Sequence, residues 1–80
     1  LFVANLLGNN VTVYAPGSGN VLRTVSQGVD RPNALAFGGN SDLFVANSNN
    51  TVTVYGTGGT KLLRTITQGL NVPDALVFGP

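Results

Sequence analysis

The sequence contains itself. Residues 1–5 read LFVAN, and residues 43–47 read LFVAN again, 42 positions later. From Val11 onward the spacing is 41: VTVY at 11–14 returns at 52–55, LRT at 22–24 returns at 63–65, and Gln27-Gly28 returns as Gln68-Gly69. Pro32 recurs as Pro73, and Ala34-Leu35-x-Phe37-Gly38 recurs as Ala75-Leu76-x-Phe78-Gly79. The one-residue slip falls between Asn5 and Val11, where LLGNN faces the shorter SNNT. Loops tolerate such a change in length and ladders do not, so a loop is expected there. Self-similarity at a period near 41 is the signature of a repeat architecture, whose units are stabilised by stacking on their neighbours.

Each copy holds four β-like runs separated by turn-formers. In the second copy these are LFVAN (43–47), TVTVY (51–55), KLLRTIT (61–67) and DALVF (74–78). Asn/Ser at 48–50, GTGG at 56–59 and a Pro-containing loop at 70–73 divide them. Strand starts about ten residues apart, filled with β-branched and aromatic residues, predict an all-β meander. No stretch keeps a helical period, so helix content should be close to nil.

These residues resemble the repeats of the NHL and YVTN β-propeller families. The matching stretch is LFVANSNNTVTVYGTGGTKLLRTITQGLNVPDALVFG (43–79). LFVAN stands where YVTN repeats have their namesake strand, and GLNVPDALVF is similar to the entry into the innermost NHL strand. The resemblance implies two four-stranded antiparallel blades. Innermost strands (A) would be 34–37 and 75–78, B strands 1–5 and 43–47, C strands 11–15 and 51–56, and outer D strands 21–26 and 62–67. The units would be residues 1–38 and 39–80, circularly offset as B-C-D, A-B-C-D, A. The final A strand then lacks a B strand in its own chain, and the B strand at Leu1 lacks an A strand. Propellers typically have four to eight blades. Ring closure between chains is therefore expected, as a six-bladed trimer first and an eight-bladed tetramer next. Leu1, Phe2, Val3, Ala75, Leu76, Val77 and Phe78 would form the interface between copies. A sequence starting mid-pattern at Leu1 without Met, and with no basic-then-apolar leader, suggests an excised, processed or engineered piece.

Composition points the same way. A chain of 80 residues buries only about 60% of its unfolded surface and usually needs a staple. The sequence has no Cys and no His, and its three acidic residues are all Asp. Disulfides are excluded, and neither a metal site nor a cofactor is expected, which leaves partner chains. Four basic residues and a formal net charge of +1 are too few for a nucleic-acid footprint. No apolar run approaches the 18 or so residues of a membrane-spanning helix, so no membrane insertion is expected. Low charge and Asn/Thr/Gly richness lean mildly toward an extracellular or cell-surface parent.

No ordinary nucleophile–base pair can be assembled without His or Cys, so an enzyme is not expected. The Gly-rich turns PGSGN (16–20) and GTGGT (56–60) lack phosphate-loop spacing and read as hairpin turns. Arg23 and Arg64 recur mid-strand, where a charge discourages strand addition. Asn10-Val11-Thr12 and Asn49-Asn50-Thr51 are formal glycosylation acceptors. In a propeller the D–A and B–C loops share one rim around the channel. Asn5, Asn47, Arg31, Asn33, Asn71 and Asp74 would line it as candidates for a carbohydrate or protein ligand. Their bland alternative is turn chemistry, with Asn and Asp bonding nearby amides. The reading reached from sequence is a non-enzymatic, self-assembling scaffold, with a lectin-like or protein-binding propeller as one rival and a piece of a longer surface or matrix protein as another.

Overall fold

A computed structural model describes residues 1–15, 17, 19–38, 42–56, 61–71, 73, 75 and 76. Among these residues seven strands follow one another: β1 (Phe2–Asn5), β2 (Asn10–Tyr14), β3 (Val21–Val25), β4 (Pro32–Phe37), β5 (Leu43–Asn47), β6 (Thr51–Tyr55) and β7 (Leu62–Ile66). Among the described residues there is no helix. Two antiparallel sheets result, one ordered β1-β2-β3 and the other β4-β5-β6-β7. Within each sheet, neighbours in sequence are neighbours in space, as short hairpin connections dictate.

The strands sit within one or two residues of their expected places. The repeat extends to detail, because β2–β3 shifts register between Val13 and Tyr14, and β6–β7 shifts between Val54 and Tyr55. Asn9 and Asn50, at matching places in the β1–β2 and β5–β6 turns, adopt φ of 56° and 66°. Asn is among the few side chains that tolerate that region. One expectation differs: Ala75 and Leu76, assigned to a strand over 75–78, lie in no strand. Val77 and Phe78 fall outside the described residues. A strand needs a neighbour to complete its ladder, and neither Ala75 nor Leu76 is paired with any of the seven strands.

Alternation along the strands gives each sheet two distinct faces. The register places Phe2, Val11, Val13, Arg23 and Val25 on one face of the first sheet and Val3, Asn5, Thr12, Tyr14 and Thr24 on the other. In the second sheet, Leu43, Val45, Asn47, Thr53 and Tyr55 share a face. The core forms where these surfaces meet: Val11, Val25 and Val29 from the first repeat pack with Leu43, Val45 and Tyr55 from the second. Phe2, Leu35 and Leu62 close its edges, and the Phe2 and Phe37 rings meet edge to face at 4.8 Å.

Because the core lies between repeats, equivalent residues differ in burial. Leu43 is fully buried whereas Leu1, which opens the same LFVAN run, is 75% exposed. Val45, Ala46 and Asn47 are buried, and their twins Val3, Ala4 and Asn5 only partly so. Leu43→Ala is expected to cost about 2–5 kcal/mol in urea unfolding, since it opens a cavity between the sheets. Leu7→Ala, in a turn at 88% exposure, should stay within about 0.5 kcal/mol.

Candidate functional site

The polar centre of the molecule is Asn47, at the end of β5 and fully buried. Its carboxamide nitrogen donates to the Val45 carbonyl at 3.2 Å, Thr51 Oγ1 at 3.3 Å and Thr53 Oγ1 at 3.0 Å. Its Oδ1 accepts the Asp30 N–H at 3.0 Å. The loop between β3 and β4 is thus pinned to the second sheet. Ser48 adds to the pin, its N–H reaching the Asp30 and Arg31 carbonyls and its hydroxyl donating to the Arg31 carbonyl at 2.7 Å. Arg31 N–H in turn donates to Asn9 Oδ1 at 2.9 Å. These bonds hold Arg31 at φ 48°, a backbone conformation few side chains adopt unaided.

A second chain of bonds runs from Asn47 through Thr53 to Tyr55. The Tyr55 hydroxyl gives its single proton to the Gln27 carbonyl at 2.5 Å. Thr53 Oγ1, 3.0 Å away, then supplies its own proton to the phenol oxygen. Burial pushes the Tyr55 phenol above its ordinary value, with the Thr53 hydrogen bond opposing that shift in part. The first sheet repeats the pattern without its outer ends. Asn5 donates to Asn10 Oδ1 at 2.8 Å and to Thr12 Oγ1 at 3.2 Å, and Thr12 donates to the Tyr14 hydroxyl at 3.2 Å.

The expected rim residues divide by environment. Asn47 is enclosed, and its amide groups are spent on loop and strand. Asn5 is half-buried, whereas Arg31, Asn33 and Asn71 are exposed. Asp74 lies outside the described residues. Among the described residues no pocket opens at this rim and no cluster of metal-ligating side chains forms. Of the two formal glycosylation sites, Asn10 is half-buried and bonded to Asn5, while Asn49 is exposed and accepts from Thr51 at 2.6 Å.

The interface candidates also divide. Leu1 and Ala75 are exposed, while Phe2, Val3 and Leu76 are half-buried. Val77 and Phe78 are not described. β1 stands at the edge of its sheet.

The arginines have a role that the sequence reading missed. Arg23 lies 5.9 Å over the Phe2 ring and Arg64 lies 5.8 Å over the Phe44 ring. Each pair straddles the valine between them, Val13 or Val54, in a row running across three strands. The shared spacing of LFVAN, VTVY and LRT carried that signal, because cross-strand rows are set by register.

The molecule is an all-β protein of two antiparallel sheets, packed around an interface between its repeats. No protein-family profile, curated protein or solved structure matches this chain.

Asn47→Ala strands the Asp30 N–H and the Thr53 hydroxyl network, and should cost about 1–3 kcal/mol in chemical denaturation. Alkaline pH provides a second check. The folded state holds the Tyr55 proton more tightly than the unfolded state, so that contribution is complete below pH about 10. It is lost as pH rises through the raised folded value. Tyr55→Phe should flatten this alkaline fall while lowering stability at neutral pH, read from denaturation midpoints against pH.

Proposed function

We propose that this chain is a non-enzymatic, self-assembling scaffold whose two β-propeller blades, of the kind NHL and YVTN repeats form, close into a ring with other copies. Three chains in a six-bladed ring is the preferred arrangement, and four chains in an eight-bladed ring the next. The observation that carries this reading is the unequal burial of identical residues. LFVAN at 43–47 is covered by β4 on its edge and by the first repeat on its face. LFVAN at 1–5 has no strand on its outer edge among the described residues, and on the face that carries Leu43 in its twin, Leu1 is left 75% exposed. An exposed edge strand with an uncovered apolar face is a standing template for association.

The repeat supplies the missing strand. β4 pairs with β5 by setting Pro32 opposite Asn47, Ala34 opposite Ala46 and Leu35 opposite Val45. Transferred between copies, that register sets Pro73 opposite Asn5, Ala75 opposite Ala4 and Leu76 opposite Val3 of a second chain. Such an interface is heterologous, joining different surfaces head to tail, and a constant rotation between copies closes it into a ring. A non-enzymatic role is supported by a sequence without His or Cys.

Native mass spectrometry and light scattering test this directly. A discrete trimer, or failing that a tetramer, is the expected mass, and a stable folded monomer overturns the proposal. The register has its own check in a chain that has no cysteine. Ala4→Cys combined with Ala75→Cys, treated with a short thiol-bridging reagent, should give covalent oligomers. Cross-linked monomers alone would argue that the strand is not exchanged.

A further inference from the structure

We infer that the turn at residues 67–71 of one copy is a preformed latch that docks on the Asn5–Thr12–Tyr14 relay of a second copy. This rests on the self-assembly reading and goes beyond strand exchange, because it assigns the interface a polar site with named groups on both sides.

The turn has an intramolecular twin whose docking is visible. In the first repeat the Val29 N–H closes onto the Ser26 carbonyl at 3.1 Å, with Gly28 at φ 77°. That turn lies on the second sheet. A Cβ at Gly28 would stand 3.4 Å from the Leu62 and Thr53 side chains and 3.7 Å from the Tyr55 hydroxyl. Gln27 gives its carbonyl to Tyr55, Asp30 gives its N–H to Asn47, and Val29 enters the core. One turn therefore caps both ends of the Asn47–Thr53–Tyr55 relay.

The second repeat builds the same turn with nothing against it among the described residues. The Leu70 N–H closes onto the Thr67 carbonyl at 3.4 Å, and Gly69 sits at φ 81°. A Cβ there would meet nothing within 4 Å among the described residues. Gln68, Gly69, Leu70 and Asn71 replace Gln27, Gly28, Val29 and Asp30. Leu70 is only half-buried, so a plug as apolar as Val29 is on offer.

The matching receptor is equally incomplete. Asn5, Thr12 and Tyr14 are bonded to one another as their twins are, yet among the described residues no donor reaches Asn5 Oδ1 and no acceptor takes the Tyr14 hydroxyl proton. Val21, which stands where Leu62 does, is 52% exposed. The latch supplies what each lacks: the Gln68 carbonyl for Tyr14, the Asn71 N–H for Asn5, and Leu70 for the apolar floor beside Val21. One bond of the internal version cannot be copied, because Leu6 replaces Ser48 and brings no hydroxyl. The contact between copies is accordingly the weaker of the two.

Two substitutions separate the latch from the fold. Tyr14→Phe removes only a hydroxyl that accepts from Thr12 within the chain. Gly69→Asn adds bulk in open space with a residue that tolerates positive φ. Each should raise the concentration for half-assembly by about tenfold, the effect of one lost buried hydrogen bond or a displaced turn. Neither should lower the unfolding midpoint of the dissociated chain. The twins Tyr55→Phe and Gly28→Asn should instead lower that midpoint. Amide exchange gives a third readout, with the Asn71 N–H becoming protected on assembly of the wild type and losing protection in Asn5→Ala. If the wild type assembles and Tyr14→Phe and Gly69→Asn assemble at the same concentration, the latch is wrong while self-assembly stands. A wild-type chain that stays monomeric overturns both.

Discussion

Everything in this chain depends on one contact, the stacking of the first sheet's Val11/Val25 face on the Leu43/Val45/Tyr55 face of the second. Either sheet alone would leave its apolar face in water, since a three- or four-stranded meander has no interior until something covers it. Apolar burial between repeats therefore does the work that a core within a domain does elsewhere. The same fact explains why the two copies, alike in sequence and strand geometry, have unlike environments. The second is covered on its Leu43/Val45 face, whereas Leu1 at the matching place in the first is 75% exposed.

Polar groups enter this interface under strict conditions. Asn47 and Thr53 are buried, and a buried amide or hydroxyl is tolerated only when its hydrogen bonds are met. The relay to Tyr55 meets them by recruiting backbone groups of the preceding repeat. The loop at Asp30 and Arg31 is consequently held in place by the sheet it crosses, strained backbone included. The polar network fixes which loop lies where, and apolar packing supplies the gain. The arginine–phenylalanine rows fall differently in the two sheets, Arg23 over Phe2 on the Val11/Val25 face of the first and Arg64 over Phe44 on the face of the second opposite Leu43 and Val45, and each covers a valine with aliphatic stem and charge.

Much of this is legible in the sequence. Turn-formers between β-branched runs located β1 to β7 within one or two residues, and the doubled LFVAN and VTVY established that the strands come in equivalent sets. The roles of single polar residues were not legible. Asn5 and Asn47 looked like a matched pair on an open rim, yet Asn47 is enclosed and serves as a peg for the neighbouring loop. Arg23 and Arg64 looked like edge guards, and they lie across aromatic rings. A strand pattern reports which residues alternate. It does not report which face meets which.

The sequence by itself determined the local architecture: the places of β1 to β7, their hairpin order within each sheet, and a repeat that had to stack to be stable. Those are consequences of short-range terms, namely turn chemistry, β-propensity and a period of two. Only the tertiary structure decided that the first repeat lies over the second on the Val45 side, that the turn at Gly28 caps the Tyr55 relay, and that the equivalent turn at Gly69 meets none of the described residues. Identical pentapeptides cannot encode different burial. The difference comes from which long-range neighbour each one finds, and that is a property of the folded chain as a whole.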